Sequence, residues 1–144
     1  MWVYGTTSAP HLSSRHIQAW VIDSYLRGAT GVVPWQTVNK DGKAMRRGDP
    51  LALFIYDGPE VIHHSMRLKA YRRAQQDVEY LELLRKRRGF TRRQIREFVA
   101  RHVCLDGREP WSPVDSGERV YDKTSPEGFR RLREAAAKLI EGAR

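Results

Sequence analysis

The first thirty-five residues alternate strand, helix and strand, and this order constrains the fold more than any other feature of the chain. Residues 2–7 are aromatic and β-branched and read as a short strand. Ser8, Ala9, Pro10 and His11 read as loop, and Ser13 or Ser14 can cap the helix that follows. Ile17, Trp20, Val21 and Tyr25 fall on one face of that helix, and Gly28 is its stop. Soon after, Val32 and Val33 open an apolar run that ends at Trp35. A βαβ unit of this kind implies parallel strands and a right-handed crossover.

The remainder alternates polar breaks with helices. Asp41-Gly42 carries a turn signal, residues 46–50 form a second break, and residues 51–56 are a compact strand-like run. Ser65 caps a long helix over about residues 66–88, with Leu68, Tyr71, Val78, Leu81 and Leu84 as its apolar stripe and Ala70 and Ala74 allowing close approach. Gly89 ends it. Thr91 and Gln94 form a capping-box pattern, and Ile95, Phe98, Val99 and His102 make the buried face of the next helix. Residues 106–124 read as loop. Ser125-Pro126 starts a last helix that turns Phe129, Leu132, Ala136, Leu139 and Ile140 inward.

A parallel sheet is normally covered on both faces and has several strands. Two strands cannot bury both faces of residues 2–6 and Val32-Val33. Either another chain completes the sheet or the polypeptide is a piece of a longer one, and the second is the expectation. No apolar run approaches a membrane span. The first residues have neither the basic nor the apolar region of a secretory signal, and the compartment is left open. Cys104, the single cysteine, lies between Val103 and Leu105 and reads as a small core residue.

The net charge of +9 is unevenly placed. Residues 1–60 hold six Lys/Arg against five Asp/Glu, whereas residues 61–144 hold twenty against twelve. The densest cluster is Arg85-Lys86-Arg87-Arg88 with Arg92 and Arg93. Cations at a helix C-terminus suit the helix dipole, so solvated helix ends explain the cluster. Nucleic-acid binding is the weaker reading, because only Phe90 lies nearby to stack on a base.

Arg15, Trp20 and Gly28-Ala29-Thr30-Gly31-Val32-Val33-Pro34-Trp35 resemble the segment Arg, Trp, Gly-Ala-x-Gly-Phe-Leu-Tyr-Trp of the glycoside hydrolase family 123 catalytic domain and its uncharacterised relatives. Asn39 lies where that family often has asparagine, and Gly48-Asp49 and Leu53-Phe54-Ile55-Tyr56 are similar to its Gly-Asp-Gly and Leu-Val-Tyr-Pro segments. Residues 65–81 are similar to Ser-Ile-Arg-Leu-Glu-x-Leu-Arg-Asp-Gly-Ile-Glu-Asp-Tyr-Glu-Tyr-Leu in order and spacing. Pro34, Arg73, Ala74 and Gln76 depart from the pattern, as in a divergent relative.

The resemblance implies an α/β fold, the C-terminal portion of a (β/α)8, or TIM, barrel. Residues 2–7 and 31–37 would be its last two parallel strands, and 14–27 and 66–88 their helices. Residues 1–89 would hold these units, and residues 90–144 would be extra C-terminal helices packed on the same domain. Family members hydrolyse terminal β-linked N-acetylgalactosamine, with the substrate's acetamido group as nucleophile and an adjacent Asp-Glu pair assisting. This sequence has no Asp-Glu dipeptide, so no catalytic residue carries over. No cofactor and no metal is implied, and the adjacent His63 and His64 would point opposite ways in a strand.

The resemblance places Trp35 at the mouth of the barrel, where a sugar's apolar face can stack on its indole. The other reading is a core tryptophan beneath the loops. Tyr4 could reach the same mouth, and Gln36 and Asn39 could bond sugar hydroxyls; the alternative for each is ordinary loop or core structure. Arg15 and Arg67 read as structural ion-pair partners.

The expected function is therefore that of a truncated glycoside-hydrolase-like protein. It would supply one wall of a cleft for a terminal N-acetylhexosamine-like sugar and be inactive alone. Two rivals stand beside it. One is a basic helical module binding nucleic acid or an anionic partner through residues 85–101. The other is a structural domain that self-associates through exposed strand edges.

Overall fold

The computed structural model describes residues 1–5, 12–35, 37–39, 53–56, 61–107 and 119–142, with the backbone alone at 39, 55 and 56. The elements run β1 (Trp2–Gly5), α1 (Ser14–Leu26), β2 (Gly31–Pro34), β3 (Val38–Asn39), β4 (Phe54–Tyr56), β5 (Ile62–His64), α2 (Met66–Arg88), α3 (Arg92–Ala100) and α4 (Pro126–Glu141). The turn expected at Asp41-Gly42, the break at 46–50 and the Gly48-Asp49 match lie outside the described residues.

β1 and β2 pair in parallel, from Trp2 opposite Gly31 to Gly5 opposite Pro34. The Thr30 N–H donates to Met1 O (2.8 Å) and the Trp35 N–H to Gly5 O (3.0 Å), closing the pair at both ends. Pro34, which has no N–H, is tolerated because it is the last residue of its strand.

The barrel expectation is overturned here. A (β/α)8 barrel extends one parallel sheet, each βα unit adding a hydrogen-bonded neighbour. Among the described residues β1 and β2 have no third strand. Instead β3, β4 and β5 form a separate sheet, parallel between β3 and β4 and antiparallel between β4 and β5. The described chain is mostly helical and is not a portion of a barrel.

The physical reason lies in where the apolar side chains go. Most of them pack helix on helix. On α2 the buried residues are Ala70, Ala74, Asp77, Leu81 and Leu84. Their spacing alternates four and three, the period of a coiled-coil seam. The small residues let α1 approach, where Ala19, Trp20 and Ile22 are fully buried. Leu81 and Leu84 join Ile95 and Phe98 of α3 and Phe129, Leu132 and Ala136 of α4 in one core that also includes Val3 of β1.

Local chemistry sets the helix ends. Ser65 Oγ accepts from the Leu68 N–H, and Gly89 ends α2 at φ 66°, a left-handed conformation that glycine adopts without strain. Thr91 and Gln94 form a complete capping box, and Ser125 Oγ accepts from the Gly128 N–H with Pro126 in the first turn. Ser13 occupies the N-cap of α1, but its side chain makes no capping bond.

Two buried ionic contacts join distant segments. Arg133 of α4 reaches Asp77 with two bonds, 2.7 and 3.2 Å. Beyond α3, residues 119–124 strap across α1. Tyr121 is fully buried; its N–H donates to His16 Nδ1 (2.9 Å) and its hydroxyl to Asp23 Oδ2 (2.9 Å). Arg27 holds the other carboxylate oxygen at 2.8 Å, and buried Arg119 lies over the Tyr121 ring, its Nε 3.5 Å from Asp23. Burial and the neighbouring carboxylate push the Tyr121 hydroxyl far above its usual range, so it stays a neutral donor.

Candidate functional site

Side chains alternate across a strand pair, and here the alternation separates a covered face from an open one. Val3 and Gly5 are buried, whereas Trp2, Tyr4, Val33 and Trp35 fall on the other face. Trp2 is 70% exposed, Val33 37% and Trp35 47%. Gly31 lets the Trp2 indole lie over β2, since a Cβ there would stand 3.2 Å from the ring.

Trp35 follows β2 directly, with its backbone anchored on Gly5 O. Its ring meets Tyr4 edge to face, with centroids 5.9 Å apart and planes at 72°. That arrangement sets the positive edge of one ring against the negative face of the other and favours this mutual orientation. Thr37 donates its hydroxyl to Pro34 O (3.1 Å), steadying the bend that follows. Of the four residues selected from sequence, the structure brings together Tyr4 and Trp35. Asn39 lies in β3 with its side chain outside the described residues, and Gln36 lies wholly outside them. Trp35 is half exposed.

A groove of about 1010 Å³ lies between α1, β2 and α2. It explains why Leu68, Tyr71 and Val78, expected in the core stripe of α2, are only half-buried. They form a second stripe beside the coiled-coil seam and line the groove with Val21 and Val32. One end of the groove is polar. The Tyr25 hydroxyl donates to Glu82 Oε1 at 2.6 Å, and Arg85 Nη1 approaches both carboxylate oxygens at 2.8 and 3.1 Å. Burial, reinforced by Glu82, pushes the Tyr25 hydroxyl up to about 12. The bond from Tyr25 holds Glu82 below the usual carboxylate range, with Arg85 adding to it against the opposing effect of burial. Sequence reasoning missed this groove. The available signal was a second apolar set on α2, Leu68, Tyr71 and Val78, offset from the Ala70, Ala74, Leu81 and Leu84 seam.

The basic cluster is arranged as helix ends. Arg85, Lys86, Arg87 and Arg88 occupy the last turn of α2, and Arg93 pairs with Glu97 at 2.8 Å. Arg96 donates through Nε and Nη2 to Leu26 O, capping the C-terminus of α1. Cys104 is exposed, which corrects its expected place in the core. The Nε of Arg15 is buried with no hydrogen-bond partner among the described residues. Among the described residues no group of three His, Cys, Asp or Glu side chains is placed to hold a metal ion, and no helix is long and apolar enough to cross a membrane.

No family model, curated protein or solved structure matches the chain.

Proposed function

We propose that this chain binds a sugar ring on the open aromatic face of β1 and β2, as one wall of a carbohydrate-binding surface, and does not hydrolyse glycosides by itself. The observation that carries the reading is the Tyr4–Trp35 pair. It holds a half-exposed indole in a favoured orientation at the C-terminal end of two parallel strands. An indole face suits the C–H face of a pyranose, and orienting it beforehand lowers the ordering cost of binding. The resemblance of residues 15–81 to the family 123 domain supports an N-acetylhexosamine as the sugar. The missing Asp-Glu pair supports the lack of hydrolysis.

A single aromatic wall gives weak binding, with Kd on the order of 1 mM, or about 4 kcal/mol. Saturation-transfer NMR tests it. Irradiating aromatic protons should transfer magnetisation to the ring protons of N-acetylgalactosamine, and Trp35→Ala should abolish the transfer while Trp2→Ala retains it. Absence of transfer, or its persistence in Trp35→Ala, overturns the reading. Detectable cleavage of an aryl β-N-acetylgalactosaminide by the purified chain overturns the inactivity.

The exposed Trp2, Val33 and Trp35 also favour a second reading, in which the same face meets a second copy of the chain. Light scattering after size exclusion separates the two. A concentration-dependent dimer that Trp35→Ala dissolves supports association, whereas a monomer at every concentration removes it.

A further inference from the structure

The groove on the covered side of β2 is chemically distinct from the aromatic face. We infer that it is a binding site for a long-chain fatty acid, with the tail on the apolar floor and the carboxylate at the Arg85–Arg92 end.

Three observations carry this. The first is shape. The lining stripe of α2 runs from Leu68 to Arg85, about 25 Å of helix at 1.5 Å per residue. With a volume of about 1010 Å³, the groove lies at the upper end of small-molecule sites. A long, narrow ligand fits better than a compact one.

The second is polarity along the length. Trp20 of α1 meets Tyr71 of α2 at 6.3 Å between ring centroids, whereas Tyr25 meets Glu82. The two helices therefore run the same way past the groove, with Leu53 and Leu68 at one end, Arg72 and Gln75 partway along, and Tyr25, Glu82 and Arg85 at the other. Arg92 reaches the polar end beside Gly28, its Nη1 3.6 Å from where a Cβ on that glycine would stand.

The third is charge. Among the described residues, Arg72, Arg85 and Arg92 line the groove against one carboxylate, Glu82, which Tyr25 and Arg85 already engage. Arg72 and Arg92 make no hydrogen bond or ion pair with any described residue. The groove is thus cationic where it is polar, which selects an anionic head over a neutral or cationic one.

The test titrates the purified chain with palmitate, following methyl resonances of Val21, Leu68 and Val78 by NMR. Palmitate should bind and shift these methyls, laurate should bind more weakly, and hexadecylamine should not compete. Arg92→Glu should weaken palmitate about tenfold by removing a charge-assisted contact. The substitution leaves folding intact, since an acid in the first turn of α3 suits the helix dipole. Arg88→Glu makes the same charge change outside the groove and should leave affinity unaltered. Failure of palmitate to shift the groove methyls overturns the proposal. So does equal binding of hexadecylamine, or an equal loss in Arg88→Glu. A synthetic acidic amphipathic peptide that shifts the same methyls when palmitate does not would also overturn it, in favour of a protein partner.

Discussion

Replacing Arg133 with methionine isolates the charge buried between α2 and α4. Methionine keeps most of the apolar stem and removes the guanidinium. Asp77 is then left in the middle of the coiled-coil seam with its side chain 2% exposed and both bonds to Arg133 gone. Removing one partner of a buried pair costs about 3–5 kcal/mol. The Arg133 side chain is 23% exposed, so water reaches part of the vacated space and the cost falls to about 2–3 kcal/mol. Domains of this size have only about 5–15 kcal/mol of stability, so the midpoint of thermal unfolding should drop by roughly 5–10 °C.

The pH dependence makes the prediction specific. Burial holds the Asp77 carboxyl above its ordinary value of 3.8, against the opposing pull of Arg133. A carboxyl raised in the folded state binds more protons there than in the unfolded chain. Its cost is absent below the unfolded value and appears as pH rises through the folded one. Without Arg133 the carboxyl rises further, so the deficit of Arg133→Met should be largest near neutral pH and shrink as pH falls towards 4. Urea unfolding at both pH values measures it. Asp77→Leu combined with Arg133→Met should recover most of the loss, because an apolar pair suits the seam. A loss below about 0.5 kcal/mol at neutral pH, or the same loss at both, would refute the reasoning.

Three further outcomes follow from contacts described above or beside them. Gly128→Ala should cost about 1–3 kcal/mol although alanine is the better helix former, because its Cβ would stand 2.7 Å from the His102 carbonyl oxygen; stabilisation in urea unfolding would contradict this. Gly89→Ala should cost about 1 kcal/mol from backbone strain alone, since nothing lies within 4 Å of the added Cβ, and Gly89→Asn should cost less. Tyr121→Phe should lose about 1 kcal/mol with the bond to Asp23, and Tyr121→Ala about 3–5 kcal/mol with the packing; equal losses would show that the hydroxyl, not the ring, holds the strap.

Local signals made the helices legible. The Thr91–Gln94 box, the serine caps and the glycine after Arg88 are contiguous in sequence, and each acts within one helical turn. The parallel pairing of β1 and β2 followed from one short connection after α1. Legibility ended where partners are far apart. Nothing periodic announces that Val38 pairs with Phe54, that Asp77 meets Arg133, or that Tyr121 is buried against α1. The barrel expectation failed for a related reason. A βαβ order fixes two strands but says nothing about a third, and the helices drew the apolar residues into a core of their own. At the site, Tyr4 and Trp35 were singled out through the resemblance, and the alternation along β1 and β2 explains why the structure brings them to one face. The groove was not foreseen because its apolar lining looks, residue by residue, like core.

The strap over α1 has a consequence for the order of assembly. The bond from Tyr121 to His16 joins positions 105 residues apart, and that to Asp23 positions 98 apart. Closing so long a loop carries an entropy cost that near-neighbour helical contacts do not. The strap is therefore expected to dock onto helices that have already met, and to open locally ahead of them. Its amide protons should exchange with solvent through this partial opening, well before the buried amides around Leu81 and Leu84 become accessible.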